Sequence, residues 1–328
     1  MIQHQKNRCL DVGPTVNVPI IIPTLNRYQH LKRCIASLQN CKLSEKAEVI
    51  IALDYPSNES QWDGYKKIGE YLEQVKGFSA LEVIKRDHNF GAQRNYLELV
   101  SYVNSRYDGY VYIEDDCEFS PNFLDYINKG LEKFKDDPRI IAICGFGGIF
   151  EKPGDYSANY LYRKNFSAWG YGTWKNRLDK VDYDVADMRD FVADPELRKR
   201  LKYYYERHYY TTLTHIYHDT AIWGDGAIVL DMIKNDTYCV YPTVSKVRNH
   251  GHDGSGEHGG NLKDSPYSKV ILDQDLVFEY EGDPVFDDSR YLAILRNHAR
   301  FTPKKKLKFW LRAAQKPKKM LDLWKLVH

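Results

Sequence analysis

Two nucleotide signatures are missing from this 328-residue sequence. No G-x-G-x-x-G follows the first apolar run, which removes the nicotinamide and flavin fingerprint, and no G-x-x-x-x-G-K-[ST] loop stands ready to cradle phosphate. Charge of one sign is also lacking: Lys+Arg 47 against Asp+Glu 45 leaves only +2, so bulk charge does not point to nucleic acid, and basic function must come from local clustering. There is no apolar run long enough to span a bilayer. The opening "MIQHQKNRCLDVGP" is polar and has no signal core, so the expectation is a cytoplasmic protein, with attachment to a membrane surface left open. The six cysteines (Cys9, Cys34, Cys41, Cys117, Cys144 and Cys239) show no paired metal-type spacing, and reduced thiols account for them most simply.

What is present, over the first 150 residues, is an alternation of short apolar runs and amphipathic stretches. "VPIIIP" (18–23), "EVIIALD" (48–54), "LEVIKR" (81–86), Tyr110 to Ile113 and "RIIAICG" (139–145) are expected as buried strands. Between them Leu31, Ile35 and Leu38, then Tyr71 and Val75, then Tyr96, Leu97 and Val100 recur at helical spacing. Strands alternating with helices call for parallel βαβ units, so the expected fold is α/β, with a Rossmann-like, mostly parallel sheet flanked by helices.

The fourth of these strands ends in three carboxylates, Glu114, Asp115 and Asp116, with Ser120 and Pro121 expected to start the next helix. Open α/β sheets place their ligands at the carboxyl ends of strands. Three adjacent acids repel one another, and a hard cation, Mn²⁺ or Mg²⁺, offsets that repulsion while keeping coordination sites for diphosphate oxygens. The competing account is a solvated acidic turn ahead of a helix.

Beyond residue 150 the pattern changes. "NFSAWGYGTWKNRL" sets Trp169 and Trp174 among glycines, as in a loop presenting aromatic faces. "PELRKRLKYYYERHYYTTLTHIYHD" is a tyrosine-rich basic helix better suited to packing than to a site. "HDTAIWGDGAIVLDMIK" places Asp219 ahead of an apolar helix. "SKVRNHGHDGSGEHGGN" (245–261) forms a glycine-rich loop able to close over a ligand, and its His250, His252 and His258 read as polar loop residues unless a partner makes them metal ligands. From Thr302 the tail gathers nine Lys/Arg among Leu, Phe and Trp, as in an interfacial anchor for anionic lipid; the alternative is a terminal helix docked by its apolar face.

Taken together, "PIIIPTLNR", "NFGAQRN", "YIEDDCEFSP", "SAWGYGTW", "HDTAIW" and "RNHGHDGSGEH" resemble the GT-A glycosyltransferases, in particular family 2 and the bacterial polysaccharide enzymes, over roughly residues 16 to 262. The resemblance implies four stretches: an N-terminal extension (1–15), a nucleotide-sugar-binding half (16–150), an acceptor-binding and catalytic half (151–300) and a basic amphipathic tail (301–328). It implies a UDP-sugar donor with Pro23, Thr24, Asn26 and Arg27 around base and ribose, Asp54 on the base, Arg94 near ribose or diphosphate and Asp115 on the ribose. It further implies Asp116 and His258 on the metal, with His250 and His252 close enough in sequence to compete, and Asp219 as general base. Trp169, Trp223 and His250 are the expected acceptor contacts, whereas Trp174 is expected in the core.

The implied reaction is metal-dependent, inverting transfer to a hydroxyl of a glycan or lipid-linked acceptor. A carboxylate must take the proton of a poorly nucleophilic hydroxyl, and a divalent ion must stabilise the departing diphosphate. Two other functions share parts of this pattern: a sugar-nucleotide pyrophosphorylase, for which the first loop lacks the needed glycines and arginines, and a non-catalytic glycan-binding or membrane scaffold.

Overall fold

A computed structural model describes residues 18–149, 151–178, 182–256 and 265–327. The first half follows the expected alternation: β1 (Ile20–Thr24), α1 (Tyr28–Gln39), β2 (Glu48–Leu53), α2 (Trp62–Leu72), β3 (Ala80–Lys85), α3 (Gly91–Asn104), β4 (Gly109–Tyr112), β5 (Cys117–Phe119), α4 (Phe123–Phe134) and β6 (Ile140–Cys144). The second half contributes β7 (Tyr160–Arg163), β8 (Tyr171–Trp174), β9 (Asp182–Tyr183), α5 (Val185–Ala193), α6 (Pro195–His218), β10 (Ile222–Trp223), α7 (Asp225–Asn235), β11 (Tyr238–Pro242) and β12 (Val247–Asn249). Three terminal helices follow: α8 (Ser289–Ala299), α9 (Pro303–Ala313) and α10 (Pro317–Val327).

The main sheet has eight strands in the order β3-β2-β1-β4-β8-β6-β11-β7. β3, β2, β1 and β4 run parallel, with Ile21 opposite Ile50 and Tyr112. Both faces of β1 and β2 are covered, which is why these strands read as continuous aliphatic runs: Ile20, Ile21, Ile22, Val49, Ile50 and Ile51 are all fully buried. One packing layer gathers around Leu31, Ile35 and Leu38 of α1, the other around Leu99 and Val103 of α3.

The sequence reading of 165–178 as an aromatic loop holds only in part. "YGTW" is β8, which inserts antiparallel between β4 and β6, pairing Tyr112 with Tyr171 and Ile143 with Gly172. The two halves of the chain therefore share one sheet. Helix α4 lies directly on β8: a Cβ at Gly172 would come 2.5 Å from Ile127 Cγ2. The acid turn does not lead straight into α4 either. β5 intervenes and pairs antiparallel with β12, while Ser120 Oγ donates to Asn122 Oδ1 (2.9 Å) instead of capping the helix.

The tail resolves into helices that dock by one face. Ala313, Leu323 and Val327 are buried, and Phe309, Trp310 and Leu326 pack on the same layer as α5 and α6. The opposite face keeps Leu307, Leu311 and Leu321 exposed. No helix among the described residues is long and apolar enough to cross a membrane. The five described cysteines are buried free thiols.

Candidate active site

The acid turn is an interior feature. Asp115 is 3% and Asp116 7% exposed, which removes the account of a solvated surface turn. The two carboxylates open onto a cleft of about 600 Å³ at the carboxyl ends of β1, β2 and β4, lined also by Pro23, Thr24, Asn26, Arg27 and Asp54, and across from them by Trp169 and Trp223. Nine of the residues expected at the site thus meet in one cavity.

The acids are held from three directions. Thr24 Oγ1, at the end of β1, donates to Asp115 Oδ2 at 2.7 Å. Arg27, in the turn before α1, forks across both acids, with Nη2 on Asp115 Oδ1 and Nη1 on Asp116 Oδ2 at 2.7 Å. Asn249, brought in by the β5–β12 pairing, donates from Nδ2 to Asp116 Oδ1 at 2.7 Å. Burial alone would lower the Arg27 pKa, but the pull of Asp115 and then Asp116 raises it above the ordinary arginine value, so the fork is a fixed positive charge. The Asp115 carboxyl is raised by burial and held back by Arg27.

Asp54 has a different setting from its neighbours. Its carboxylate accepts the backbone N–H groups of Tyr55 (2.8 Å), Phe90 (2.8 Å) and Gly91 (2.9 Å), so it fastens the "NFG" turn to the end of β2 at the start of α3. Gly91 enters that helix at φ +73°, a conformation glycine adopts without penalty. Asn95, one turn on, carries the segment's inward polar contact: Nδ2 donates to Ala52 O (3.1 Å) and Oδ1 accepts from Arg86 (2.9 Å).

Several expected residues are not brought to the cleft. Arg94 is exposed, with its guanidinium 4.0 Å from the Phe90 ring centroid and Nη1 3.4 Å from His88 Nε2. α3 points Asn95, and not Arg94, inward. His250 does not line the cleft but pairs with Glu118 at 2.6 Å, because it follows Asn249, whose side chain faces Asp116, and so points to the other side. His252, in the turn beyond, lines the cleft, with its Nδ1 at 3.1 Å from Asn249 Oδ1 and its ring 5.5 Å from that of Trp169. His258 lies outside the described residues.

Asp219 is the largest departure. It terminates α6 in the left-handed conformation (φ 61°, ψ 47°), is exposed and does not line the cleft. Six residues later Asp225, in the first turn of α7 beyond Trp223, is mostly buried behind the cleft. Its Oδ2 accepts the Ala168 N–H at 3.3 Å, and burial pushes the carboxyl up to about 6. The Glu114 carboxyl is raised well above its ordinary range by burial, then by the negative charges of Asp116 and Asp225. Sequence reasoning passed over Asp225, Asn249 and Gly251. For Asp225 the available signal was its place in "WGDGAIVL", an acid at a helix start directly after a cleft tryptophan.

The residues also fit a hard divalent cation. Glu114, Asp116 and Cys117 place ligand atoms within 4.8 Å of one another. Burial raises the Cys117 thiol well above its ordinary range, which leaves the carboxylates as the donors. Space at Asp116 depends on Gly251, where an added Cβ would come within 2.0 Å of Asp116 Oδ2.

A mixed sheet of this strand order, with acids at the carboxyl end of β4 and helices on both faces, defines a GT-A fold. The chain belongs to glycosyl transferase family 2, whose family model matches residues 20–221, more than half its length, and it is a glycosyltransferase. No curated protein matches it. Among solved structures, the mannosyltransferase PcManGT from Pyrobaculum calidifontis, in complex with GDP-Man and Mn²⁺, is 13% identical, covering 67% of this chain and 71% of its own at a TM-score of 0.36. S. aureus TarS is 13% identical, covering 70% of this chain but 37% of its own, at 0.34. TarS 1-349 in complex with UDP is 13% identical, covering 62% and 65%, at 0.35.

Proposed function

We propose that this glycosyltransferase moves a sugar from a UDP-sugar to a hydroxyl of a glycan or lipid-linked acceptor, inverting the anomeric centre, in the synthesis of a bacterial surface polysaccharide. The observation that carries this is two kinds of carboxylate at one cleft. Asp115 and Asp116 line it and are braced by Thr24, Arg27 and Asn249, and Asp225, just behind the lining residue Trp223, has one long hydrogen bond, from Ala168. Family membership sets the pyrophosphorylase and scaffold readings aside.

In this reading Pro23, Thr24 and Asn26 flank the nucleoside, Asp54 reaches the base and Asp115 meets the ribose. The Arg27 guanidinium offsets the charge of the diphosphate. Asp116 with Glu114 would hold Mn²⁺ or Mg²⁺, which when bound supplies Lewis-acid stabilisation to the leaving diphosphate. Trp169 and Trp223 offer ring faces to the acceptor sugar, and His252 takes the polar role expected of His250. Asp225 accepts the proton of the attacking hydroxyl. A carboxyl near 6 is ionised at neutral pH yet far more basic than an ordinary aspartate, which suits proton abstraction.

The test separates binding from turnover. UDP with Mn²⁺, and not GDP or CDP, should raise the melting temperature of wild type and of Asp225→Asn alike, because a ligand of the native state stabilises it by mass action. UDP release from a UDP-sugar with acceptor should be lost in Asp225→Asn. No response to any nucleoside diphosphate would overturn the donor assignment, and full turnover by the variant would remove Asp225 as the base.

A further inference from the structure

Apart from the cleft, the molecule has a second sizeable cavity, of about 520 Å³, bounded by α6, α8 and the start of α9. Four cations line it, Lys202, Arg296, Arg300 and Lys306, against the single acid Glu206. Glu206 is already engaged, since it pairs with Lys306 and accepts the Phe301 N–H at 2.9 Å. Of the other three cations, Arg296 lies 4.2 Å from the Tyr203 ring centroid, Lys202 4.3 Å from that of Tyr209, and Arg300 is exposed. Burial, then Arg198, lower the Lys202 ammonium, Glu206 opposes them, and Lys306 lowers it further, as expected where cations outnumber the one acid. The cavity exists because α6 breaks at Tyr205 (φ −151°, ψ 71°), between lining residues Tyr204 and Glu206.

The cavity adjoins a surface of matching character. Lys306 lines it, and the next residue, Leu307, is 62% exposed, as is Leu311 one turn further along α9. On α10 Leu321 is exposed between lysines 318, 319 and 325. The one acid of the two helices, Asp322, is tied to Arg189 at 2.5 Å, so it does not offset the lysines of the free face. Exposed leucines interleaved with lysines on a docked helix pair, beside a cation-lined basin, match a surface of anionic headgroups over apolar chains.

We propose that the cavity between α6, α8 and α9 receives the phosphate of an anionic lipid headgroup while the outer faces of α9 and α10 lie on the membrane. Phosphate is the shared chemistry, and a lipid is its source because the basin opens beside exposed apolar side chains. The assignment is independent of which sugar the cleft transfers.

The test is cosedimentation of the full chain with vesicles of phosphatidylcholine alone and with vesicles rich in phosphatidylglycerol, in the absence of sugar donor. Wild type should bind the second and not the first. The double variant Lys202→Gln/Arg300→Gln should bind about tenfold more weakly or worse, and Leu307→Ser/Leu311→Ser should lose binding as well. Lys133→Gln/Lys135→Gln, which removes the same charge from α4, should bind as wild type does. Thermal melting checks that each variant folds; if the first does not, Arg300→Gln alone, at an exposed position, serves in its place. Equal binding by wild type and the cavity variant would overturn the site. A melting shift with inorganic phosphate that the cavity variant loses, with no vesicle binding by wild type, would overturn the lipid and leave a soluble phosphate ligand.

Discussion

On the β4 side of the cleft each aspartate oxygen that matters is spoken for. Asp115 takes Thr24 and Arg27, Asp116 takes Arg27 and Asn249, and Asp54 takes three backbone amides. On the α7 side, Asp225 takes one long hydrogen bond from Ala168, and burial raises its carboxyl. Burial raises both the Asp115 and the Asp225 carboxyls, but Asp115 is held back by Arg27 and Thr24, whereas Asp225 has only weak backbone bonds to oppose burial and has room for a proton. The difference teaches how one residue type can be suited to holding a ligand where donors grip it and, in the proposed reaction, to taking a proton where they do not.

The largest effect should come from breaking the saturated wall. Asp116→Ala removes the carboxylate shared by Arg27 and Asn249, and turnover should fall by about 10³-fold or more, with loss of the Mn²⁺-dependent response to UDP. The variant should also lose about 1 to 3 kcal/mol of stability by denaturant titration, because the buried Asn249 amide keeps no acceptor there.

Asp225→Asn should lower kcat by about 10² to 10³-fold with little change in KM, and should abolish the fall in wild-type activity below about pH 6. Its stability effect has the opposite sign. The folded carboxyl binds its proton at about 6 against 3.8 for an ordinary aspartate, so between those values the folded chain holds more protons than the unfolded one and wild type loses stability as pH rises. The asparagine variant should therefore gain about 1 to 2 kcal/mol at pH 7, a discounted figure for a group that keeps some solvent contact, and the gain should vanish below about pH 4. A gain in stability with a loss of turnover distinguishes an under-satisfied functional acid from a structural one.

Gly251→Ala probes the saturated wall more gently. Its Cβ must displace either Asp116 or the turn that carries His252. A drop of about tenfold in kcat/KM and a weaker Mn²⁺ requirement measured by titration are expected.

These contrasts also account for what was legible in the sequence. The aliphatic runs of β1, β2 and β6 were legible because strands buried on both faces have no other composition available, and the acid turn because its position after such a run is itself a geometric statement. β8 was not, since "YGTW" owes its strand state to insertion between β4 and β6, where Gly172 admits Ile127 and Leu131. Asn249 was hidden for the same reason: only the pairing of Asn249 with Cys117 across β5 and β12 sets its amide against Asp116. Arg94 and His250 failed through local direction, as neighbours on α3 and in the β12 turn point the other way. The tail was half legible, because amphipathicity shows that a face is apolar but not that the helix has enough apolar surface both to dock and to remain exposed.

The smallest expected effect sharpens the comparison most, because it sets Asp219 against Asp225. Asp219 stands at the carboxyl end of α6, where its negative charge faces the negative end of the helix dipole and its left-handed backbone strains a side chain that glycine would lack. Asp219→Gly should stabilise the protein by about 0.5 to 1 kcal/mol in thermal or denaturant unfolding, at neutral and at acid pH alike where the strain dominates. Turnover should stay within about twofold of wild type, since the residue lies outside the cleft. Were Asp219→Gly to lose activity while Asp225→Asn kept it, the base would lie at the end of α6, and α6 would have to move to reach the acceptor. If both keep it, neither Asp219 nor Asp225 is the base, and the difference between saturated and under-satisfied acids has no catalytic meaning.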